Sequence, residues 1–356
     1  ISELDLNSQL KNAIEDSKLS AQIKPTYADV FLITVPTPFK SNTSKVPSPD
    51  LNYVYTAIES CIPFLKKGNI IIIESTCPVG TTEKINNFLF RKKIDMEEIH
   101  LAYCPERVLP GNILFELVNN DRVIGGINEH SSEVAYDFYK TFCKGNLKIS
   151  NARTAEMVKL SENAFRDVNL AFANEISMIC DKSNIDPFEL INLANGHPRV
   201  NILNPGCGVG GHCIAVDPWF IVSENEEESR LIYTAREVND KKIEWVIEKI
   251  INVVNNIKFQ SNNKPKLCCL GLTFKANVDD CRNSPALKIA KGLISKNLDV
   301  VCCDPNVKEI KSLIISSLEN CLETCDLFIC LVAHNEFKKI NFENKKIIDF
   351  CGLLLN

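Results

Sequence analysis

Hydrophobic residues in the first 150 positions alternate between short unbroken runs and stretches with helical periodicity. The strand-like runs are residues 30–36, 69–76, 99–103 and 122–125. Unbroken apolar runs are typical of parallel sheets that are covered on both faces. Residues 50–67 have helical periodicity, and Asp50 is their predicted N-cap. A strand, a helix and a strand at this spacing predict a βαβ unit and hence an α/β fold.

The rest of the chain changes to helices and then returns to an α/β pattern. Residues 151–195 and 226–254 predict helices, and the polar residues 260–266 predict a linker. The strands predicted after it are residues 266–271, 298–303, 327–332 and 346–350, with a helix near 284–295. Because 356 residues are too many for one compact core, we expect two or three domains. The α/β, helical and α/β layout predicts three, over residues 1–150, 151–258 and 259–356.

Composition and charge argue against several classes of function. The chain has 45% hydrophobic and 24% charged residues, and its formal net charge of −5 does not favour nucleic-acid binding. No apolar run approaches the ~20 residues that a membrane span needs, and no signal-peptide pattern is present. We therefore expect a cytoplasmic protein with neither nucleic acid nor membrane as a partner.

The 16 cysteines are scattered singly apart from two adjacent pairs, and none forms a C-x-x-C pair. Several lie inside apolar strands, where cysteine packs as a small hydrophobic residue. This pattern favours reduced thiols over a disulfide framework, and it predicts no metal site.

Residues 206–211 (GCGVGG) satisfy the G-x-G-x-x-G pattern of dinucleotide-binding loops. That motif needs a strand before it and a helix after it, whereas Pro205 and Pro218 bracket this one. We expect an irregular loop in which glycine lets the backbone approach a ligand. Residues 1–29 offer only an amphipathic helical stretch, with Leu6, Leu10 and Ile14, so we expect the first βαβ unit and its glycine loop to lie upstream of Ile1.

Cys213 differs from the other cysteines because it follows this glycine loop and His212, and precedes Asp217 by four residues. A thiol becomes nucleophilic where cations or backbone donors favour the thiolate. Structural packing remains the alternative at this stage.

Other polar residues form patterns that have both a functional and an ordinary explanation. Lys159, Asn163 and Arg166 share one face of a predicted helix, which could equally be a solvated face. His197 and Arg199 flank Pro198, and residues 103–111 follow a strand at the sheet edge where α/β proteins contact ligands. From the residues alone we predict an α/β enzyme with a candidate cysteine-dependent site.

Six segments in a consistent order resemble the UDP-glucose/GDP-mannose dehydrogenase family. They are residues 35–38 (VPTP), 74–82 (ESTCPVGTT), 103–111 (YCPERVLPG), 154–175 (TAEMVKLSENAFRDVNLAFANE), 197–220 (HPRVNILNPGCGVGGHCIAVDPWF) and 271–286 (GLTFKANVDDCRNSPA). Within the family, residues 34–39 and 197–220 are more similar to enzymes acting on UDP-N-acetylmannosamine. The UDP-glucose enzymes typically carry Lys where this chain has Val216.

The resemblance implies two Rossmann-like, doubly wound domains joined by a central helical dimerisation region. The N-terminal domain (residues 1–150, without its first βαβ) would bind NAD, and the C-terminal domain (residues 259–356) would bind UDP. The implied activity is a four-electron oxidation of UDP-N-acetyl-D-mannosamine to UDP-N-acetyl-D-mannosaminuronate, with two NAD⁺. A homodimer or a higher homo-oligomer is expected.

The same resemblance assigns roles to individual residues. Cys213 would form a thiohemiacetal and then a thioester, Lys159 would stabilise negative charge on oxygen, and Asp217 and Glu106 would handle protons. The implied UDP-sugar ligands are Arg107, Val108, Asn163, Arg166, His197, Arg199, Gly210, Phe274 and Lys275, with Arg199 reaching across the dimer. The implied cofactor contacts are Thr37, Thr76 and Arg282.

Three alternatives stay open. The substrate could instead be UDP-glucose or UDP-N-acetylglucosamine, because the motifs recognise UDP better than the sugar. The chain could also be a remnant that binds UDP-sugars without turnover. A zinc-binding role is the last of the three. If the first βαβ unit lies upstream of Ile1, this polypeptide alone should bind NAD more weakly than a version that includes it.

Overall fold

The computed structural model describes residues 5–40, 45–108, 111–261, 264–342 and 345–354. The chain divides into two compact units. The first unit contains Ile1–Glu162 and Trp219–Glu228, and the second contains Asn163–Pro218 and Ser229–Asn356. The division into three domains stays a prediction. Two residues of the predicted linker, 262 and 263, lie outside the described residues.

The first unit contains a five-stranded mixed sheet. Its strands are β1 (Val30–Ile33), β2 (Ile70–Ile73), β3 (His100–Tyr103), β4 (Arg122–Gly126) and β5 (Leu147–Asn151), in that spatial order. All neighbours are parallel except β3 and β4, which are antiparallel. The four predicted strands are confirmed. Except at β4, each predicted apolar run is longer than the strand that the structure contains. We did not predict β5, because none of its residues is fully buried and it carries little apolar signal.

The helices up to residue 183 are α1 (Leu6–Glu15), α2 (Asn52–Cys61), α3 (Thr81–Arg91), α4 (Ile113–Asn119), α5 (Glu129–Lys140) and α6 (Ala152–Ser183). Helix α1 confirms the amphipathic stretch, but its apolar residues are exposed. The predicted helix over residues 50–67 is shorter than expected, because a 3-10 turn with Pro63 follows Cys61. Leu51 rather than Asp50 occupies the N-cap position, and the Asp50 carboxylate accepts the Asn52 N–H at 2.9 Å.

A buried carboxylate caps helix α3. The N-cap residue, Gly80, has no side chain to accept a hydrogen bond, and Glu156 replaces it. The Glu156 carboxylate accepts the Gly80 N–H at 2.5 Å and the Thr82 N–H at 2.8 Å. Burial raises the pKa of Glu156, and these hydrogen bonds offset that effect only in part.

The second unit contains a four-stranded parallel sheet. Its strands are β6 (Leu267–Leu270), β7 (Val300–Cys303), β8 (Leu327–Cys330) and β9 (Lys346–Asp349), in the order β7-β6-β8-β9. Every residue of β6, β7 and β8 is buried, as the unbroken apolar runs predicted. The remaining helices are α7 (Pro187–Ala194), α8 (Asp217–Glu224), α9 (Arg230–Ser261), α10 (Pro285–Ser295) and α11 (Leu318–Thr324). Helices α3, α4, α5, α8 and α11 were not predicted, and α4, α8 and α11 have only seven or eight residues, too few for a clear periodicity.

Within the second unit, a buried ion pair links α6 to α9. The Arg236 guanidinium donates to Asp167 at 2.7 Å, and both side chains are almost completely buried. Burial raises the pKa of Asp167, and Arg236 offsets part of that rise. Among the described helices, none combines the length and the apolar character that a bilayer span requires.

Replacing Arg236 by Met should destabilise the second unit strongly, because the Asp167 carboxylate would remain buried without its cation. We expect the free energy of unfolding to fall by about 3–5 kcal/mol, measured by urea denaturation. The control is Lys241→Met on the same helix, an exposed site where a change within about 0.5 kcal/mol is expected. Equal effects of the two variants would contradict the assigned importance of the ion pair.

Candidate active site

The glycine loop at residues 206–211 is irregular and packs closely against the backbone of its own unit. A Cβ atom added to Gly210 would lie 2.7 Å from the main-chain oxygen of Asn283 and 2.6 Å from Pro285. Gly208 has φ +126°, and its added Cβ would lie 2.9 Å from the main-chain oxygen of Asn239. Gly208 and Gly210 are therefore required for close packing, and the expected irregular loop is confirmed.

A chain of buried amides anchors the start of this loop. The Asn239 side chain donates to the Asp167 carboxylate at 2.8 Å, and Asn174 donates to Asn239 at 2.9 Å. The Asn174 side-chain oxygen then accepts the Gly206 N–H, also at 2.9 Å. The Asp167–Arg236 pair is thus connected to the loop through two asparagines, which the sequence analysis did not identify. Their only sequence signal is a polar residue within an otherwise helical apolar pattern.

Cys213 lies half-buried in a turn that leads into α8. Its carbonyl oxygen accepts the N–H groups of Val216 and Asp217, at 2.9 and 2.8 Å. All 16 cysteines lie among the described residues, and 12 of them are buried. Of the other half-buried thiols, burial raises the pKa of Cys281 to about 11 and also raises that of Cys351. These two thiols are therefore poor nucleophiles near neutral pH.

Charged groups of the segment 280–282 lie within electrostatic range of the loop. Arg282 is exposed and forms a bidentate pair with Asp280, at 3.0 and 2.6 Å. Hydrogen bonds with Asp280 raise the pKa of Arg282, and the Cys213 sulfur contributes to the same shift. The Gly211 N–H donates to the Arg282 carbonyl oxygen at 3.2 Å. Arg282, expected to contact the cofactor, is thus a cation close enough to influence the thiol.

Asp217 is buried in the first turn of α8, where a helix N-terminus favours negative charge. The Asn163 side-chain amide donates to its carboxylate at 2.6 Å. Asn163, expected to bind the sugar nucleotide, therefore also orients Asp217. This hydrogen bond uses the amide nitrogen of Asn163, so the side-chain oxygen of Asn163 remains as an acceptor for a ligand.

In the first unit, Lys159 and Glu106 lie together. The Lys159 ammonium donates to the main-chain oxygen of Glu106 at 2.9 Å. The Glu106 carboxylate accepts from buried Arg122 at 3.1 Å and from the Arg107 N–H at 2.7 Å. Arg107 also pairs with Glu162 at 2.6 Å, and Val108 beside it is half-buried. Both carboxylate oxygens of Glu106 are thus hydrogen-bonded, which makes it better suited to position neighbouring groups than to transfer protons.

The two threonines expected at the cofactor follow neighbouring parallel strands. Residues Ile33 and Ile73 are paired at the ends of β1 and β2, and the Ser75 hydroxyl donates to the Val35 carbonyl oxygen at 2.7 Å. The half-buried Thr37 and Thr76 therefore border one edge of the sheet. Ligands of open α/β sheets bind at this carboxyl edge, so the arrangement fits a nicotinamide dinucleotide.

The remaining predicted ligands belong to the second unit. Arg166, His197 and Arg199 are exposed, and Phe274 and Lys275 are half-buried. The segment 271–277 is held by two buried residues that were not predicted, Asp304 and His334. The Asp304 carboxylate accepts the Leu272 N–H at 2.6 Å and lies 3.2 Å from the His334 ring. Asp304 directly follows the buried strand β7, and that position could have identified it. His334 lies in the loop after β8.

Comparison with known proteins identifies the family of this chain. Models of the UDP-glucose/GDP-mannose dehydrogenase family match the chain with their NAD-binding domain at residues 1–143, their central domain at 153–241 and their UDP-binding domain at 268–354. The chain belongs to this family. It is an NAD-dependent oxidoreductase with a UDP-sugar as substrate.

Several relatives are similar over nearly the whole chain. The UDP-N-acetyl-D-mannosamine dehydrogenase of Campylobacter jejuni is 46% identical over 99% of this chain and 88% of its own length. An NDP-N-acetyl-D-galactosaminuronic acid dehydrogenase of Ralstonia nicotianae is 44% identical, covering 99% and 85%. Among solved structures, the UDP-D-ManNAc dehydrogenase of Pyrococcus horikoshii has a TM-score of 0.89 at 37% identity, covering 99% of this chain and 85% of that one.

Gly210→Ala should displace the segment that carries Cys213, because the added methyl group would overlap the Asn283 carbonyl and Pro285. We expect the rate of NADH formation from a UDP-sugar to fall by about 10²-fold, the scale of a 1 Å misplacement of reacting groups. Gly206→Ala is the control, since its nearest atom would lie 4.0 Å away. Melting temperatures of both variants separate misplacement from unfolding, and a fully active Gly210→Ala enzyme would refute the packing argument.

Proposed function

We propose that this enzyme oxidises UDP-N-acetyl-D-mannosamine to UDP-N-acetyl-D-mannosaminuronate through a covalent intermediate on Cys213. The observation that carries the covalent mechanism is the setting of this thiol. It is half-buried in a glycine-anchored turn, with Arg282 in electrostatic range. The sugar assignment is supported by relatives at 46–47% identity that are UDP-N-acetyl-D-mannosamine dehydrogenases.

The overall reaction converts a primary alcohol, one water and two NAD⁺ into a carboxylate, two NADH and three protons. The chemistry that NAD⁺ supplies when bound is acceptance of one hydride in each of two oxidations. Between them, the Cys213 sulfur adds to the aldehyde carbon and forms a C–S bond, giving a thiohemiacetal. Its oxidation gives a thioester, and water then breaks the C–S bond and releases the carboxylate. Covalent attachment keeps the reactive aldehyde from leaving between the oxidations.

Asp217 is proposed to move protons to and from the sugar oxygen and the hydrolytic water. Its burial and its contact with Asn163 support this role, because a fixed carboxylate loses little freedom during the reaction. We infer that Glu106 contributes chiefly by fixing Arg122 and the main chain that Lys159 contacts.

Lys159 is proposed to stabilise the negative charge that develops on oxygen during addition and thioester hydrolysis. A primary ammonium held by a main-chain carbonyl keeps two further N–H groups for such an oxygen. The UDP moiety is proposed to contact five residues of the second unit. Exposed Arg166, His197 and Arg199 and half-buried Lys275 supply basic groups, and Phe274 supplies an aromatic ring. Dimerisation, with Arg199 completing the partner's site, remains part of this proposal.

A second substrate class has its own support. The Ralstonia relative, named for N-acetyl-D-galactosaminuronic acid, is nearly as similar at 44% identity. An N-acetylated sugar is common to both names, whereas UDP-glucose lacks the acetamido group. We therefore favour UDP-glucose as the substrate less than either N-acetylated sugar.

Cys213→Ser should abolish completion of the reaction, because an alkoxide is not generated as readily as a thiolate and the thioester cannot form. We expect uronate formation to fall by more than about 10³-fold, as in other enzymes that lose a nucleophile. Cys143→Ser, at another half-buried thiol, is the control and should keep its rate. Mass spectrometry of acid-quenched wild-type enzyme should find the sugar nucleotide on the peptide containing Cys213. A serine variant that completes both oxidations at full rate would disprove the mechanism.

Assays with a panel of UDP-sugars should rank UDP-N-acetylmannosamine first. We expect its kcat/KM to exceed that of UDP-N-acetylglucosamine, UDP-N-acetylgalactosamine and UDP-glucose by at least about 10-fold, the scale set by one pocket contact. The measurement is NADH formation, with two NADH expected per sugar consumed. Faster turnover of another sugar would reassign the substrate, and binding without NADH from any sugar would favour the non-catalytic alternative.

A further inference from the structure

Three cysteines that are far apart in the sequence meet in the C-terminal sheet domain. Cys268 lies on β6, Cys321 lies on α11, and Cys325 follows the last residue of that helix. Their sulfur atoms all lie within 4.8 Å of one another, and all three side chains are buried. The sequence predicted no metal site. The cluster combines Cys321 on a short helix, Cys325 directly after that helix, and a third thiol on a strand that precedes both by more than 50 residues.

We propose that Cys268, Cys321 and Cys325 bind one Zn²⁺ ion. Zinc–thiolate bonds of about 2.3 Å place tetrahedral sulfur ligands about 3.8 Å apart. The three sulfurs therefore need to approach one another by no more than about 1 Å. Burial and an all-sulfur ligand set favour a soft d¹⁰ cation over Mg²⁺ or Ca²⁺, which prefer oxygen.

Charge favours Zn²⁺ over Cu⁺ in this apolar surrounding. Three thiolates leave a net charge of about −1 around Zn²⁺ and about −2 around Cu⁺, and the smaller buried charge costs less. Lys266 lies within electrostatic range of Cys325. The cation therefore offsets part of the remaining negative charge.

Side-chain hydrogen bonds connect the cluster to its neighbours. The Cys321 sulfur hydrogen-bonds with Cys268 and Cys303. Ser316 also hydrogen-bonds to the Cys321 sulfur, and its oxygen accepts the Asn320 amide at 2.7 Å, which leaves the hydroxyl proton for the sulfur. Such donors orient metal-bound thiolates. The contact with Cys303 brings a fourth sulfur to the edge of the cluster.

A metal at this position would fasten α11 to the sheet. Cys321 is the only fully buried residue among the seven described residues of α11, and Leu318 and Leu322 pack against the same core while staying partly exposed. Zinc would bridge it to the central strand β6, a structural role separate from the chemistry at Cys213.

The test uses the full-length protein, reduced, treated with a chelator and then loaded with Zn²⁺ or with Co²⁺ as a spectroscopic substitute. We expect one Zn²⁺ per chain to survive gel filtration, and Co²⁺ to give an intense sulfur-to-metal charge-transfer band with tetrahedral d–d bands. Zinc should also raise the melting temperature. Loss of the stoichiometric ion is expected in Cys321→Ala/Cys325→Ala.

Cys330→Ala is the matched control, because Cys330 is buried in the same core but lies outside the cluster, and it should keep the ion. Cys213→Ser should keep it too, which separates this site from the nucleophile. No stoichiometric zinc in the wild type, a cobalt spectrum without thiolate bands, or full retention by the double variant would each overturn the proposal. The wild-type measurements decide the question even if the double variant fails to fold.

Discussion

The buried hydrogen-bond chain from Arg236 through Asp167, Asn239 and Asn174 to Gly206 is the interaction on which the second unit's site depends. Polar groups inside a helix interface are costly unless each has a partner, so this chain tolerates few alternative arrangements. It fixes where the glycine loop begins. The glycines then let the loop pack against backbone, and the turn that follows presents Cys213. Stability and placement of the thiol therefore rest on the same residues.

Burial separates the cysteines into groups with different chemistry. Most are enclosed in strands or cores, where desolvation raises the thiol pKa and keeps them inert, as at Cys104 and Cys207. Cys213 is only half-buried and lies near a guanidinium. At the Cys268 cluster, three buried sulfurs lie within 4.8 Å of one another. One residue type thus packs cores and, we propose, supports covalent catalysis and binds zinc, according to its neighbours.

The elements that the sequence predicted well are those whose apolar pattern is long or unbroken. Strands β2, β6, β7 and β8 are buried on both faces, and the long helices α6 and α9 span many turns, so the signal accumulates. Strand β5 was missed because it is largely exposed, and helices α4, α8 and α11 were missed because they are short. The Asp50 cap was displaced by one residue, an error that local sequence cannot resolve.

By itself the sequence determined the α/β class, the irregular glycine loop, the candidate nucleophile and the resemblance to a family. Each of these depends on neighbouring residues or on their spacing along the chain. Only the tertiary structure decided which distant residues meet. It brought Asn163 to Asp217, Arg122 to Glu106, and Cys268 to Cys321. Contacts between residues separated by tens of positions depend on how strands and helices pack, and packing leaves no local pattern in the chain.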